Sequence, residues 1–132
     1  MSDTLQFELV TPERLAVGEA VAMVEVPGEM GDFGVLPGHA PFFSMIRPGV
    51  ITVHGNDNAQ THYFVPSGYA EVNPDGCILL VEHARNLADV SKADAETELK
   101  AAKQTLANAE DAHASALAEQ AVRVAEALAE AV

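Results

Sequence analysis

The chain has 132 residues, enough for one ordinary domain or a compact domain with a small appendage. Apolar residues make up 48% of it and tryptophan is absent, so the composition predicts a core of Val, Leu, Ile and Ala rather than a disordered chain. Twenty acidic against seven basic side chains give a formal charge of −13, which excludes nucleic acid as a partner and disfavours direct attraction to anionic lipid.

The opening Met1–Phe7 carries neither a basic leader nor a long apolar core, and is not expected to be a secretory signal. The apolar run Cys77–Val81, which no other run exceeds, falls far short of the roughly 20 residues that span a bilayer. A single cysteine forms no internal disulfide, which suits a reducing compartment. The chain is expected in the cytoplasm, or on a membrane complex reached from that side.

Strand periodicity begins at once. Leu5, Phe7 and Leu9 alternate with Gln6 and Glu8, the two-residue period of a half-buried strand. Val21, Met23 and Val26 predict a second strand, ended by Pro27-Gly28. A long loop follows, up to a strand over Val50–His54 that stops at Gly55-Asn56-Asp57-Asn58. His62–Val65 answers it as the second arm of a hairpin, with His54 and His62 expected to face one another in solvent. Tyr69–Val72 and Cys77–Val81 form another hairpin across Asn73-Pro74-Asp75-Gly76, with Cys77 expected as a buried, inert thiol. Short strands at this spacing predict a sandwich or barrel.

Near Arg85 and Asn86 the grammar changes. All 9 glycines lie before that point, and so does every proline. Ser91 and Asp94 stand in capping-box spacing ahead of Leu99, Ala102, Leu106 and Ala109, which recur at helical intervals. Leu117, Ala121, Val124 and Leu128 repeat the pattern, and Ser115 is placed to cap that second helix. Two antiparallel helices are predicted, with a boundary that leaves residues 1–85 as the strand domain and 86–132 as the helical hairpin. No glycine or proline marks the break between the helices, so two states remain open: a permanently folded hairpin, or one that straightens into a single long helix.

Chemistry is hard to find. His39, His54, His62, His83 and His113 form no close ligand pair, and no Cys-x-x-Cys accompanies them. The glycine-rich stretch Gly28–Gly34 lacks the Gly-Lys-Ser/Thr ending of a P-loop, and Glu29 and Asp32 repel phosphate. A tight loop using the conformational freedom of glycine accounts for it. No catalytic residue, metal ligand or cofactor is predicted.

The run Gly28-Glu29-Met30-Gly31-Asp32-Phe33-Gly34-Val35-Leu36-Pro37-Gly38-His39-Ala40-Pro41 resembles the signature loop of ATP synthase epsilon subunits. Arg47-Pro48-Gly49-Val50-Ile51 stands where that family has Lys-Pro-Gly and a strand. Gly68–Val72 and Leu79–Ala84 match its later hairpin, so the resemblance covers nearly the whole chain.

This resemblance implies a mixed, mainly β fold, a ten-stranded β-sandwich followed by a C-terminal antiparallel two-helix hairpin. It implies a non-catalytic rotor subunit at the foot of the central stalk of an F-type ATP synthase. The partners implied are the γ subunit and the c-ring, with the catalytic α/β subunits met through the helical tail. The place implied is the cytoplasmic face of the inner membrane, peripheral and not inserted. By position, the loop through Glu29, Asp32 and His39 faces the c-ring; as ordinary turn residues, Asp32 and His39 carry no such role.

Two departures from the family qualify it. Pro66-Ser67-Gly68 stands where many relatives have a Gly-Gly pair, which leaves the local backbone path open. Relatives that bind ATP open their first helix with Ile/Leu-Asp-x-x-Arg-Ala; here Val90, Ser91 and Asp94 occupy a degenerate version, with an acid in place of the arginine. Weak or absent ATP binding is expected. From Asn86 onward Lys92, Lys100, Lys103 and Arg123 face nine acidic side chains, so weak inhibition of ATP hydrolysis is expected too. A free-standing binding module and a small cupin-type metalloenzyme are the competing readings.

Overall fold

The computed structural model describes residues 4–132. The chain forms two compact units, one ending at Asn86 and the other spanning Leu87–Val132. The first holds ten strands: β1 Leu5–Val10, β2 Leu15–Val21, β3 Met23–Gly28, β4 Gly31–Val35, β5 Phe42–Ile46, β6 Gly49–His54, β7 Gln60–Val65, β8 Gly68–Asn73, β9 Gly76–Val81 and β10 Arg85–Asn86. The second holds a short 3-10 turn and two helices, α1 Lys92–Ala107 and α2 Ala112–Ala131, which pack on each other as a hairpin.

The strands make one sheet folded into two layers. Its order is β10-β7-β6-β3-β5-β8-β9-β1-β2, with β4 on the side of β3. β3 and β5 share only the pair Gly28↔Ile46, and there the sheet turns from one layer to the other. All pairings are antiparallel except that of β1 with β9, which joins the first strand to the last long one. Inward alternation does the rest: Leu5, Phe7 and Leu9 from β1 meet Val24 and Val26 from β3, Ile51 and Val53 from β6, and Cys77 and Leu79 from β9 in one core. Each Val, Leu, Ile or Phe among them, fully buried, contributes about 1.5–3 kcal/mol.

Turn chemistry fixes the hairpins as the residue types require. Asn73 Oδ1 accepts from the amides of Asp75 at 2.8 Å and Gly76 at 3.0 Å. Asn58 adopts the left-handed conformation, φ 66°, which asparagine tolerates better than most side chains.

Several expectations need correction. Val21 ends β2 and does not belong to the strand of Met23 and Val26; β2, with Ala16, Gly18 and Ala20 on one face, carries too little apolar contrast to be read by alternation. The long loop between Gly28 and Val50 contains β4 and β5. His54 and His62 do not face one another: His54 lies opposite Gln60 and His62 opposite Thr52. Ser91 does cap α1, accepting from the Asp94 amide at 3.0 Å. Asp111, not Ser115, caps α2, accepting from the Ala114 amide at 2.7 Å. An ionised carboxylate is a strong cap and stands one residue ahead of the helix, whereas Ser115 lies inside the first turn. The buried face of α2 carries Ala118, Ala125 and Leu128, while Leu117 is 62% exposed.

Candidate functional site

The turn between β3 and β4 consists of Glu29 and Met30, and Met30 is 97% exposed. Arg47, just after β5, holds both limbs of this turn. Its Nη1 donates to the Gly28 carbonyl at 2.6 Å and its Nη2 to Asp32 Oδ1 at 2.5 Å. The backbone repeats the link, with Arg47 N donating to Pro27 O and Glu29 N to Met45 O.

His39 lies elsewhere. It follows β4, whose five residues separate it from the turn by about 17 Å at the usual strand rise. The Gly38 amide donates to Pro74 O, so this loop belongs with the β8–β9 turn at the opposite end of the strands. His39 Nδ1 sits 2.7 Å from the Ala40 carbonyl and its ring lies beside Phe42, which packs edge-on against Phe33. Glu29 and Asp32 are thus brought together, while His39 is not.

A second feature escaped the sequence reading. On the outer side of the β5-β8-β9-β1-β2 layer, the register sets Met45 opposite Tyr69, Tyr69 opposite Leu80, Leu80 opposite Val10, and Val10 opposite Leu15. This apolar row crosses five strands, and Phe43 adds to it with its ring 5.4 Å from that of Tyr69. β5 even inverts the ordinary pattern: Ser44 is buried, its hydroxyl donating to the Met45 carbonyl, while Phe43 and Met45 are exposed. The signal was present in Cys77–Val81, apolar on both faces, which marks a strand covered on both sides.

Elsewhere the polar groups serve structure. Burial pushes the Cys77 thiol up to about 12, so it stays protonated and unreactive. Burial, then the nearby Glu19 carboxylate, raise the Tyr63 hydroxyl. The hydroxyl of Ser91 is engaged in its cap, Val90 before it is buried, and Asp94 is exposed in the first turn of α1. Among the described residues no group of three or more His, Cys, Asp or Glu is arranged to hold a metal ion. No helix among them is long and apolar enough to cross a membrane.

Comparison with known proteins agrees with the fold. Residues 4–87 match the family model of the ATP synthase delta/epsilon chain, beta-sandwich domain. The ATP synthase epsilon chain of Rhodospirillum rubrum is 45% identical over 128 residues, covering 97% of this chain and 96% of its own length. That of Paramagnetospirillum magneticum is 42% identical over 132 residues, covering 100% of this chain and 99% of its own. Among solved structures, a chain of the Euglena gracilis mitochondrial ATP synthase, in the OSCP/F1/c-ring assembly in rotational state 1, superposes with a TM-score of 0.86 at 21% identity, covering 99% of this chain and 82% of that one. A chain from the central stalk/c-ring of the Tetrahymena thermophila mitochondrial enzyme gives a TM-score of 0.68 at 10% identity, covering 96% and 95%. With nearly full-length identity above 40% and a sandwich of ten strands followed by two helices, the chain belongs to the ATP synthase epsilon family.

Proposed function

We propose that this chain is a non-catalytic rotor subunit of an F-type ATP synthase, carrying c-ring rotation to the γ subunit. The observation that supports this most directly is the apolar row Met45–Tyr69–Leu80–Val10–Leu15 on one side of the strand unit, exposed at Met45, Tyr69, Leu15 and the neighbouring Phe43 and half-buried at Leu80 and Val10. Such a stripe marks a docking face, and γ is the partner proposed for it. The β3–β4 turn faces the polar loops of the c-ring. The residue numbers 1–85 cover both surfaces, and 86–132 form the regulatory arm. The working place proposed is peripheral, at the cytoplasmic face of the inner membrane.

The helical unit contacts the catalytic α/β subunits only weakly and gives little inhibition of hydrolysis. Its charge supports this, since Arg123 is the one lysine or arginine of α2 against Glu119, Glu126 and Glu130. ATP is bound weakly or not at all, because Asp94 stands where relatives use arginine and the Ser91 oxygen is already engaged.

Affinity purification of the tagged chain from gently solubilised membranes tests the assignment. Recovery of γ, α, β and c with ATPase activity is expected; the bait alone, from membranes whose synthase stays intact, overturns it. Deleting residues 86–132 is expected to leave ATPase activity nearly unchanged, and a several-fold rise refutes weak inhibition. Calorimetry of the isolated chain is expected to detect no micromolar ATP binding.

A further inference from the structure

We infer that the two carboxylates of the β3–β4 hairpin have separate tasks: Asp32, with Arg47, positions the turn, while Glu29 and Met30 at its tip make the contact with the partner. This rests on the proposal that the turn faces the c-ring.

The division follows from what each side chain already touches. The Arg47 fork spans the Gly28 carbonyl and the Asp32 carboxylate at once, at 2.6 and 2.5 Å. With the backbone bonds Arg47 N to Pro27 O and Glu29 N to Met45 O, both limbs of the turn are tied to the connection after β5. A planar guanidinium can serve a carbonyl and a carboxylate together; the point charge of a lysine cannot do so with the same geometry. The charge of Asp32 is balanced by its partner, so it presents little net field to an approaching surface.

Glu29 is the opposite case. It is exposed, and among the described residues its carboxylate takes part in neither the Arg47–Asp32 ion pair nor the His54–Glu25 contact. Beside it Met30 stands almost wholly in solvent. An isolated exposed methionine says little by itself. Here it stands with a free carboxylate on a turn held from both sides, so both side chains are offered at a fixed height. The surface they fit offers a cation next to an apolar recess.

The test uses full-length variants rebound to γ–c-ring assemblies stripped of the native chain, with amide exchange of the turn measured in parallel. E29Q is expected to weaken binding about threefold, as for one exposed ion pair. M30A is expected to weaken it on the order of tenfold, the loss of one apolar contact. D32N, whose amide oxygen still accepts from Arg47, is expected to stay within about twofold of the parent. D32A frees the turn, speeds exchange of the Glu29 amide and weakens binding. If D32N weakens binding as much as E29Q and D32A do, the Asp32 charge is itself a contact and the division is wrong. Unchanged amide exchange in D32A removes the positioning role. Faster exchange in D32A with no variant altering affinity overturns the ring-facing reading of the turn, and the contact role of Glu29 and Met30 with it.

Discussion

Phe43 and Tyr69 stack on adjacent strands with their rings 5.4 Å apart and tilted by 36°, yet both remain exposed to solvent. Aromatic pairs of this kind are frequent anchors of protein interfaces, where a few side chains carry most of the energy. Tyr69→Lys is therefore expected to cut affinity for γ by a factor of ten or more, on the order of 2 kcal/mol. Its melting temperature is expected to stay unchanged, because the ring is not part of the core. Equal binding by the variant in a pull-down with purified γ would remove this face from the interface.

Gly68 has φ +154°, and a Cβ there would lie 2.3 Å from the Leu80 carbonyl oxygen. The glycine this chain keeps, in Pro66-Ser67-Gly68, is thus the one the backbone demands. Gly68→Ala combines a strained conformation with a backbone clash, and is expected to cost about 2–3 kcal/mol in denaturant unfolding. A cost under about 0.5 kcal/mol, ordinary for surface changes, contradicts the geometry.

Cys77 supplies the pH-dependent prediction. Its thiol is raised from 9.0 to about 12, so above pH 9 the unfolded chain loses a proton that the folded chain keeps. Stability must then fall as pH rises from 9 towards 12, by at most about 1.4 kcal/mol per pH unit from this group. Comparing the parent with Cys77→Ala across that range isolates the contribution. The native thiol is also expected to resist alkylation at pH 8 and to react once the chain is unfolded.

The α2 cap separates two candidates. Asp111→Ala is expected to destabilise the helical unit by about 1 kcal/mol, and Ser115→Ala to change it little. Circular dichroism melts of the full chain decide between them, and the reverse order would return the cap to Ser115.

His54 Nε2 and Glu25 Oε2 lie 2.7 Å apart across β6 and β3, on partly exposed side chains. A partly exposed hydrogen bond of this kind contributes about 0.5–1.5 kcal/mol, so Glu25→Gln is expected to lower stability by no more than that in denaturant unfolding.

Alternation revealed β1, β6, β7, β8 and β9 because each sets apolar against polar residues or meets a clear turn. It missed β2 and β5 for opposite reasons. β2 has small residues where a strand needs bulk, and β5 is apolar on its outer face and buries a serine. β4 was hidden in a glycine-rich run that reads as loop, although Phe33 and Val35 give it a packed side. The resemblance to relatives supplied the total of ten that local pattern did not. For the candidate site, sequence proximity put Glu29, Asp32 and His39 in one group. The length of β4, which begins beside Asp32, carries the last away from the others, and no clear periodicity in that stretch announced it. The Arg47 fork joins residues 15 and 19 positions apart, a distance over which a single sequence carries no local signal.

The parallel pairing of β1 with β9 has a consequence for synthesis. β1 can meet β2 as soon as both have left the ribosome, but its other edge stays open until Gly76–Val81 emerge. At the usual elongation speed of about 5–20 residues per second, that wait lasts several seconds. During it the nascent chain carries an unpaired strand edge with Leu5, Phe7 and Leu9 alongside, a form open to chaperones and to mispairing with a neighbouring nascent copy. Arrival of β9 ends that exposure in one step, so the sandwich closes only after its last core strand has been made.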